Sequence, residues 1–264
     1  MPLRAPPSVQ TSRQSAVLTI TIAREERRNA LNADVAAGIM AALDAAEADS
    51  AIRAIVLTGA GDRAFCAGGD LQPDAEGAPF SINPADPRHY VPTLLRRIEA
   101  CRLPLIARVN GPALAGGFGL MCACDLVVAR DDALLGVTEV RLGLFPMMIL
   151  PVLLRVVPHR TLLDMCLTGA PLTARAALAD RIINDAVPAA ELDQTVERLL
   201  ARIVDNSPTG IRLGKQGLAA IRNMSMDSAL EYAQFMLVNM ARTRDAREGF
   251  AAFNERRPAL WTGE

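Results

Sequence analysis

Apolar residues along the first half of the chain alternate between two spacings. Residues 16 to 23, AVLTITIA, alternate β-branched and small residues, which predicts a strand. The segment after it, NADVAAGIMAALDAAEAD, has helical spacing, and Asn32 stands where a helix N-cap belongs. The apolar runs at 52 to 61 and 103 to 111 again have the length and composition of buried strands. Strands that alternate with helices predict an α/β fold with mostly parallel strands and ligand contacts at strand ends.

The pattern changes further along the chain. ALLGVTEV at 133 to 140 is the last short strand of the first part, and after about residue 145 the apolar spacing becomes wholly helical. Residues 72 to 90 are crowded with Pro, Asp, Gly and Asn, which predicts a long surface loop able to order over a ligand. We therefore predict an N-terminal extension at 1–14, an α/β core at 15–200 and a helical region at 201–264 that packs on the core or on another subunit.

Composition and charge exclude several classes of protein. With 51% apolar and 22% charged residues, the 264-residue chain can bury a sizeable core. A formal net charge of -1 gives no general attraction to nucleic acid or to anionic membranes. Charged residues interrupt every apolar stretch before it reaches the roughly 18 residues of a membrane helix. We expect neither nucleic acid nor a membrane as a partner.

Cysteine usage bears on the compartment and on metal binding. The five cysteines are odd in number and lie in apolar surroundings, as expected for reduced thiols of a cytoplasmic protein. The first fourteen residues contain no apolar stretch of the kind a signal peptide needs. Cys122 and Cys124 have no second pair of ligands at zinc-site spacing, so we expect no metal site.

Two glycine turns, Ala67-Gly68-Gly69-Asp70 and Ala115-Gly116-Gly117, are the first candidates for chemistry. Each follows a predicted strand and precedes an apolar segment. Backbone N–H groups at such a turn favour a negatively charged oxygen, and two that converge form an oxyanion hole. Taken singly, either turn is better explained by the tight bend that glycine permits. Neither has the spacing of a nucleotide-binding loop.

Three segments in the same order resemble the crotonase, or enoyl-coenzyme A hydratase/isomerase, superfamily. They are AFCAGGDL at 64–71, VNGPALAGGFGLMCACDLVVA at 109–129, and the segment around Glu139 with LGLFP, preceded by RRNALN at 27–32. The resemblance covers most of the chain and implies a crotonase-like ββα spiral core with a C-terminal helical oligomerisation region. It also implies an acyl-coenzyme A thioester as substrate, no separate cofactor, and a homotrimer or a dimer of trimers.

The resemblance also assigns catalytic roles. Gly69 and Gly116 match the two oxyanion-hole residues, and Glu139 matches the acid/base. Members of the family that hydrate with two glutamates have the other one three residues beyond the second glycine, where this chain has Gly119. A single carboxylate modestly favours double-bond isomerisation, since one base can shuttle one proton. Hydration with Glu139 alone stays open, as does an idle member that only binds coenzyme A.

Binding residues follow from the same resemblance. Arg27 and Arg28 match the segment that runs along the coenzyme A nucleotide, where an arginine fork suits phosphate oxygens; solvated surface arginine is the alternative. For Asp70, a helix-capping role is the other interpretation. Further contacts with the thioester are expected at Ala30, Ala67, Asp70, Leu71, Pro112, Gly119, Thr138 and Met147. Apolar neighbours of Glu139 predict desolvation, which raises a carboxyl pKa.

Overall fold

The computed structural model describes residues 7–71 and 88–264, so most of the loop interpreted at 72 to 90 lies outside the described residues. Within the described residues, a six-stranded sheet has the order β1-β2-β3-β4-β6-β9 and a small three-stranded sheet the order β5-β7-β8. The strands are β1 Val9–Gln14, β2 Val17–Ile22, β3 Ala54–Gly59, β4 Leu105–Val109, β5 Ala113–Leu114, β6 Leu126–Arg130, β7 Leu134–Gly136, β8 Leu172–Thr173 and β9 Asp185–Val187.

Helices separate most of these strands, as the spacing predicts. The prediction of a wholly helical pattern after about residue 145 is wrong at β8 and β9, which are only two and three residues long and therefore too short to show an apolar periodicity. They are α1 Ala33–Ala48, α2 Tyr90–Glu99, α3 Gly116–Cys122, α4 Leu150–Val156, α5 His159–Thr168, α6 Ala174–Ala179, α7 Leu192–Val204, α8 Pro208–Ile221, α9 Met226–Met240 and α10 Arg244–Glu255. The predicted N-cap of α1 is confirmed, because the Asn32 side chain accepts a hydrogen bond from Val35 N at 2.9 Å. In the described part of the chain, no helix is long and apolar enough to cross a membrane.

Four of the five strand pairings in the main sheet are parallel, and only β1 runs antiparallel to its neighbour β2. The sequence pattern did not predict β1, because its residues are mostly polar and five of the six are exposed. An edge strand of this kind carries little apolar alternation to recognise. The predicted boundary at residue 15 therefore falls inside the β1-β2 hairpin.

Alternate residues of the central strands pack into two different layers. Ile55 and Leu57 of β3 face the larger core, which also contains the buried residues of α1 and α2. Ala54 and Val56 face the opposite side, where they pack with Leu192 of α7. Both faces of the sheet are covered, as expected for parallel strands joined by helices. The prediction of an α/β fold with mostly parallel strands is confirmed.

The prediction of one strand over 133 to 140 is wrong in its second half. β7 ends at Gly136, and Glu139–Leu142 form a 3-10 turn that ends at Gly143 in the left-handed region, with φ 74°. β7 pairs with only two residues of β5 and two of β8, so no ladder continues beyond Gly136. The turn therefore carries Glu139 away from the sheet.

One buried carboxylate, on α10, joins the start of α8 to the last residues of the chain. Asp245 is almost fully buried and accepts hydrogen bonds from Ser207 Oγ, Thr209 N, Thr262 N and Gly263 N. Burial opposes ionisation, yet these donors outweigh it and hold the pKa of Asp245 at about 2. The last residues of the chain are thereby tied to the start of α8.

Candidate active site

The small sheet brings three distant segments of the chain together. Cys66 forms an isolated parallel bridge with Ala113, and its carbonyl accepts a hydrogen bond from Leu114 N at 3.0 Å. Leu114 in turn pairs with Gly136 of β7, whose carbonyl accepts from Ala115 N at 2.8 Å. Both glycine turns and the segment that leads to Glu139 are therefore held by consecutive backbone contacts.

The two glycine turns lie against each other. A Cβ placed on Gly116 would lie 3.5 Å from Gly69 N, and a Cβ on Gly68 would lie 2.9 Å from Ala115 Cβ. Gly68 has a φ of +108°, which L side chains rarely adopt. Gly116 is the first residue of α3, so its N–H has no acceptor within the helix. The N–H groups of Gly69 and Gly116, which are far apart in the sequence, thus border one small space.

Ala115 stores backbone strain next to this space. Its φ of 49° and ψ of -125° belong to a region that suits glycine and costs other residues about 1–3 kcal/mol. The hydrogen bond from Ala115 N to Gly136 O and the tight fit against Gly68 hold it there. These contacts compensate the strain.

An ion pair between Arg24 and Asp70, here called the latch, holds the end of the first turn. Arg24 donates to Asp70 Oδ2 and to the Ala30 carbonyl, each at 2.7 Å, and both members of the ion pair are only 15% exposed. Leu31 N donates to Gly68 O and Asp70 N donates to Leu31 O, each at 2.7 Å. Leu31 is therefore hydrogen-bonded to the residues on both sides of Gly69, and Arg24 links Asp70 to the Ala30 carbonyl.

A cavity of about 500 Å³ opens in front of the two turns. Gly69, Gly116 and Glu139 all line it, and Glu139 is the one ionisable residue among the lining residues that the structure describes. Most of the remaining wall is apolar: Leu31, Leu71, Val91, Leu142, Leu144, Phe145, Met147, Met148 and Ile149. Volume and lining are those of a small-molecule site with few polar groups.

The environment of Glu139 suits proton transfer. Burial raises the pKa of the Glu139 carboxyl, while hydrogen bonds from its own N–H and from Thr138 N oppose that rise. The Thr138 N–H lies 2.9 Å from Glu139 Oε2. A half-buried carboxyl with a raised pKa, in an apolar cavity beside backbone donors, is the arrangement expected of a general base.

Comparison with known proteins decides the family. The model of the family described as enoyl-CoA hydratase/isomerase matches residues 12–264. The 2,3-dehydroadipyl-CoA hydratase of Escherichia coli is 34% identical over 96% of this chain and 97% of its own length. The short-chain-enoyl-CoA hydratase of Clostridium acetobutylicum is 30% identical, over 95% of each chain. This chain belongs to the enoyl-CoA hydratase/isomerase family.

Solved structures confirm the crotonase-like fold. An enoyl-CoA hydratase structure from Mycobacterium tuberculosis superimposes with a TM-score of 0.87 at 32% identity, over 98% of this chain and all of the other. One from Mycobacterium smegmatis gives the same TM-score at 29% identity. Membership of the enoyl-CoA hydratase/isomerase family supports an acyl-coenzyme A thioester as the class of substrate.

In this member of the enoyl-CoA hydratase/isomerase family, position 119 has no room for a side chain. Gly119 is buried, and a Cβ there would lie 2.4 Å from Ile149 Cγ2 and 2.5 Å from Ile149 Cβ. Gly119 therefore touches Ile149, which lines the cavity in its place. Thioester contact at Gly119 stays a prediction, and any such contact must be made past Ile149.

The other expected binding residues fall into three groups. Ala67, Leu71, Thr138 and Met147 line the cavity. Three others belong to the framework around the cavity. Ala30, which is buried, and Asp70 both bind Arg24, and the Pro112 carbonyl accepts hydrogen bonds from Phe65 N and Cys66 N. Arg27, the last residue of the turn Glu25–Arg27, and Arg28, which follows it, are exposed. For Asp70, the recorded ion pair favours a framework role. Direct contact of all these residues with substrate stays a prediction.

Sequence reasoning missed the parts that Arg24 and Ile149 play in the site. Arg24 gave no signal because its partner Asp70 is 46 residues away. Ile149 reads as an ordinary helix residue until its contact with Gly119 is seen. Leu144 and Phe145 belong to the segment LGLFP that carries the family resemblance, and the structure adds that both are exposed apolar residues of the cavity wall.

Proposed function

We propose that the chain stabilises the enolate of an acyl-coenzyme A thioester and moves a proton with Glu139. One observation carries the proposal: Glu139 lines the same apolar cavity as the glycine turns at 69 and 116. The thioester oxygen would accept hydrogen bonds from the N–H groups of Gly69 and Gly116. Preorganised donors of this kind stabilise charge that develops on an oxygen.

Double-bond migration is the reaction that the site supports best. Glu139, as carboxylate, takes a proton from C2 of a 3-enoyl thioester, and the electron pair moves onto the thioester oxygen as a dienolate. The same carboxyl then returns the proton to C4, while the double bond forms between C2 and C3. Atoms and charge balance with one base, and the two glycine amides hold the oxygen throughout.

Hydration of a 2-enoyl thioester is the second candidate, because the curated relatives described above are named hydratases. Here Glu139 takes a proton from water, the hydroxide adds to C3, and C2 receives a proton. Both the water and the proton must then be managed by one carboxyl. Closure of the Gly119 position by Ile149 leaves no second acid there, so we expect migration to be the faster reaction.

Matched thioesters decide between these reactions. Purified protein is assayed with 2-enoyl and 3-enoyl thioesters of equal length, and we expect migration to exceed hydration. Glu139→Gln should lower turnover at least about hundredfold with binding little changed. Glu197→Gln, on the exposed surface of α7, is the matched control. Binding of thioester without any turnover would instead indicate an idle family member, and wild-type hydration far faster than migration would reverse the preference.

Arg27 and Arg28 are proposed to contact the phosphates of the coenzyme A moiety. Both are exposed, and Arg28 O accepts a hydrogen bond from Ala67 N, so the backbone of this turn adjoins the cavity wall. An Arg27→Gln/Arg28→Gln double variant should raise KM and weaken its dependence on salt, with kcat little changed. Unaltered salt dependence would place the phosphates elsewhere.

We further propose that the C-terminal helices bind other copies of this chain, as a trimer or a dimer of trimers. None of the residues of α9 is buried, and Phe235 and Leu237 are 68% and 67% exposed. Phe253 on α10 is 83% exposed. Large apolar surface of this extent marks an interaction site. Sedimentation equilibrium should show a trimer or hexamer, and Phe235→Glu/Phe253→Glu should lower the mass; a monomeric wild type would contradict the proposal.

A further inference from the structure

A second cavity, of about 730 Å³, adjoins the cavity that Glu139 lines, here called the catalytic cavity. Among the described residues, Met148 is the single one that lines both. Helix α2 also passes from one to the other, since Val91 lines the catalytic cavity and Leu95 lines the second one. Beyond Met148, Val152 of α4 continues along the second cavity. The two spaces are therefore neighbours along two separate elements.

The lining of the second cavity is largely apolar, and three of its four cationic residues form ion pairs with its two carboxylates. Lys215 Nζ lies 2.6 Å from Asp125 Oδ2, and Glu99 pairs with Arg155 and Arg222. The apolar part of this lining favours an apolar group, because burial removes apolar surface from water. The apolar lining comes from Leu95, Ile98, Val152, Val156, Leu218 and Ile221.

Met148 is suited to act as a movable partition. It is partly buried and packs on the main core, between exposed Met147 and buried Ile149. An unbranched thioether side chain has three rotatable bonds and adapts to irregular spaces. Truncation at this position would open the catalytic cavity toward the second one.

We propose that the second cavity receives the distal end of a long, unbranched acyl chain, and that Met148 limits how far the chain reaches. The proposal rests on the proposed function, because the thioester end must lie at the glycine turns beside Glu139. Each methylene that enters an apolar space raises affinity about fourfold. Chain-length preference is therefore set at Met148 and in the second cavity, away from the reacting carbons.

The test compares four-carbon and twelve-carbon thioesters. The measured quantity is the ratio of kcat/KM for the long chain to that for the short chain, with affinities of the saturated thioesters by calorimetry as a readout free of turnover. Met148→Ala should raise both ratios at least tenfold. Ala219→Trp, which fills the second cavity from α8, should lower them. Gln216→Trp, exposed on the same helix and outside both linings, is the control and should match wild type.

Unchanged ratios in both Met148→Ala and Ala219→Trp would overturn the proposal. If Met148→Ala does not fold, the ratios of Ala219→Trp alone decide. A change in oligomeric mass for Ala219→Trp with unchanged ratios would mean that the second cavity is a subunit contact, which also overturns it. Absent turnover with a chain-length effect on affinity would contradict the proposed reaction and leave the second cavity supported.

Discussion

A side chain at position 119 would place its Cβ 2.4 Å from Ile149 Cγ2 and 2.5 Å from Ile149 Cβ. Gly119 and Ile149 are therefore a coupled pair, in which one residue lacks a side chain and the other fills the space. Because Ile149 Cβ is itself too close, Ile149→Ala would not make room, and only glycine at position 149 would.

This contact predicts that Gly119→Glu alone disrupts packing, at a cost of about 1–3 kcal/mol or more. The double variant Gly119→Glu/Ile149→Gly should lose less unfolding free energy than the two single variants lose in sum, since residues in contact are coupled. In the double variant we expect hydration to rise relative to isomerisation. Urea titration and the two assays measure this, with Ile149→Gly as the control; additive stabilities or an unchanged rate ratio would contradict it.

Adjacent glycines at 116 and 117 should respond differently to alanine. In Gly116→Ala the new methyl would lie 3.5 Å from Gly69 N and 3.6 Å from Leu31 Cδ1, which are ordinary van der Waals distances, so Tm should not fall. It would border the space for an oxyanion about 3 Å from that nitrogen, so turnover should fall about 10-fold to 1000-fold. In Gly117→Ala the methyl would lie 2.1 Å from Cys66 O, and Tm should drop. Full turnover in Gly116→Ala would exclude this oxyanion site.

Acid should inactivate the enzyme through Glu139. Burial raises the pKa of its carboxyl above 4.5, and only the ionised form can take a proton from the substrate. We expect kcat/KM to fall with a slope of one as the pH drops through that raised pKa, at a pH above 4.5. A profile that stays flat down to pH 4.5 would show that another group is the base.

The same burial should make Glu139 costly for stability. The folded carboxyl binds its proton more tightly than the unfolded one, so its contribution is present below pH 4.5 and lost as the pH rises through the folded pKa. Glu139→Gln should therefore have a higher Tm than wild type at pH 7, and the difference should vanish below pH 4.5. Thermal unfolding across this range measures it; equal Tm values at pH 7 would indicate a well-solvated carboxylate.

The Arg24–Asp70 latch should matter more than an exposed ion pair of similar length. Arg24→Met removes hydrogen bonds at 2.7 Å to Asp70 and Ala30 and should cost about 1–3 kcal/mol. It should also lower kcat more than it raises KM, because the Gly69 turn loosens. The control, Arg13→Met, breaks an exposed pair at 2.8 Å to Asp49 and should cost at most about 1 kcal/mol. Equal losses in both variants would remove the special role of the latch.

Much of the outline followed from the sequence because its signals are local. The Asn32 cap, the buried strands β3 and β4 and the helical C-terminal region each depend on spacing within one segment. The turn glycines and Glu139 were recognised from motifs, and the structure places all three around one cavity. Strand β1 escaped prediction because its side chains are polar, and the end of β7 because strand length depends on its partners.

Only the tertiary structure decided the contacts between residues that lie far apart in the chain. Arg24 holds Asp70 across 46 residues, Ile149 covers Gly119, and Met148 lines two cavities. The sequence by itself determined which segments form strands, helices and glycine turns, because backbone preference and apolar periodicity act over a few residues. Side-chain contacts across the fold depend on how those segments pack in three dimensions, and no local pattern specifies that packing.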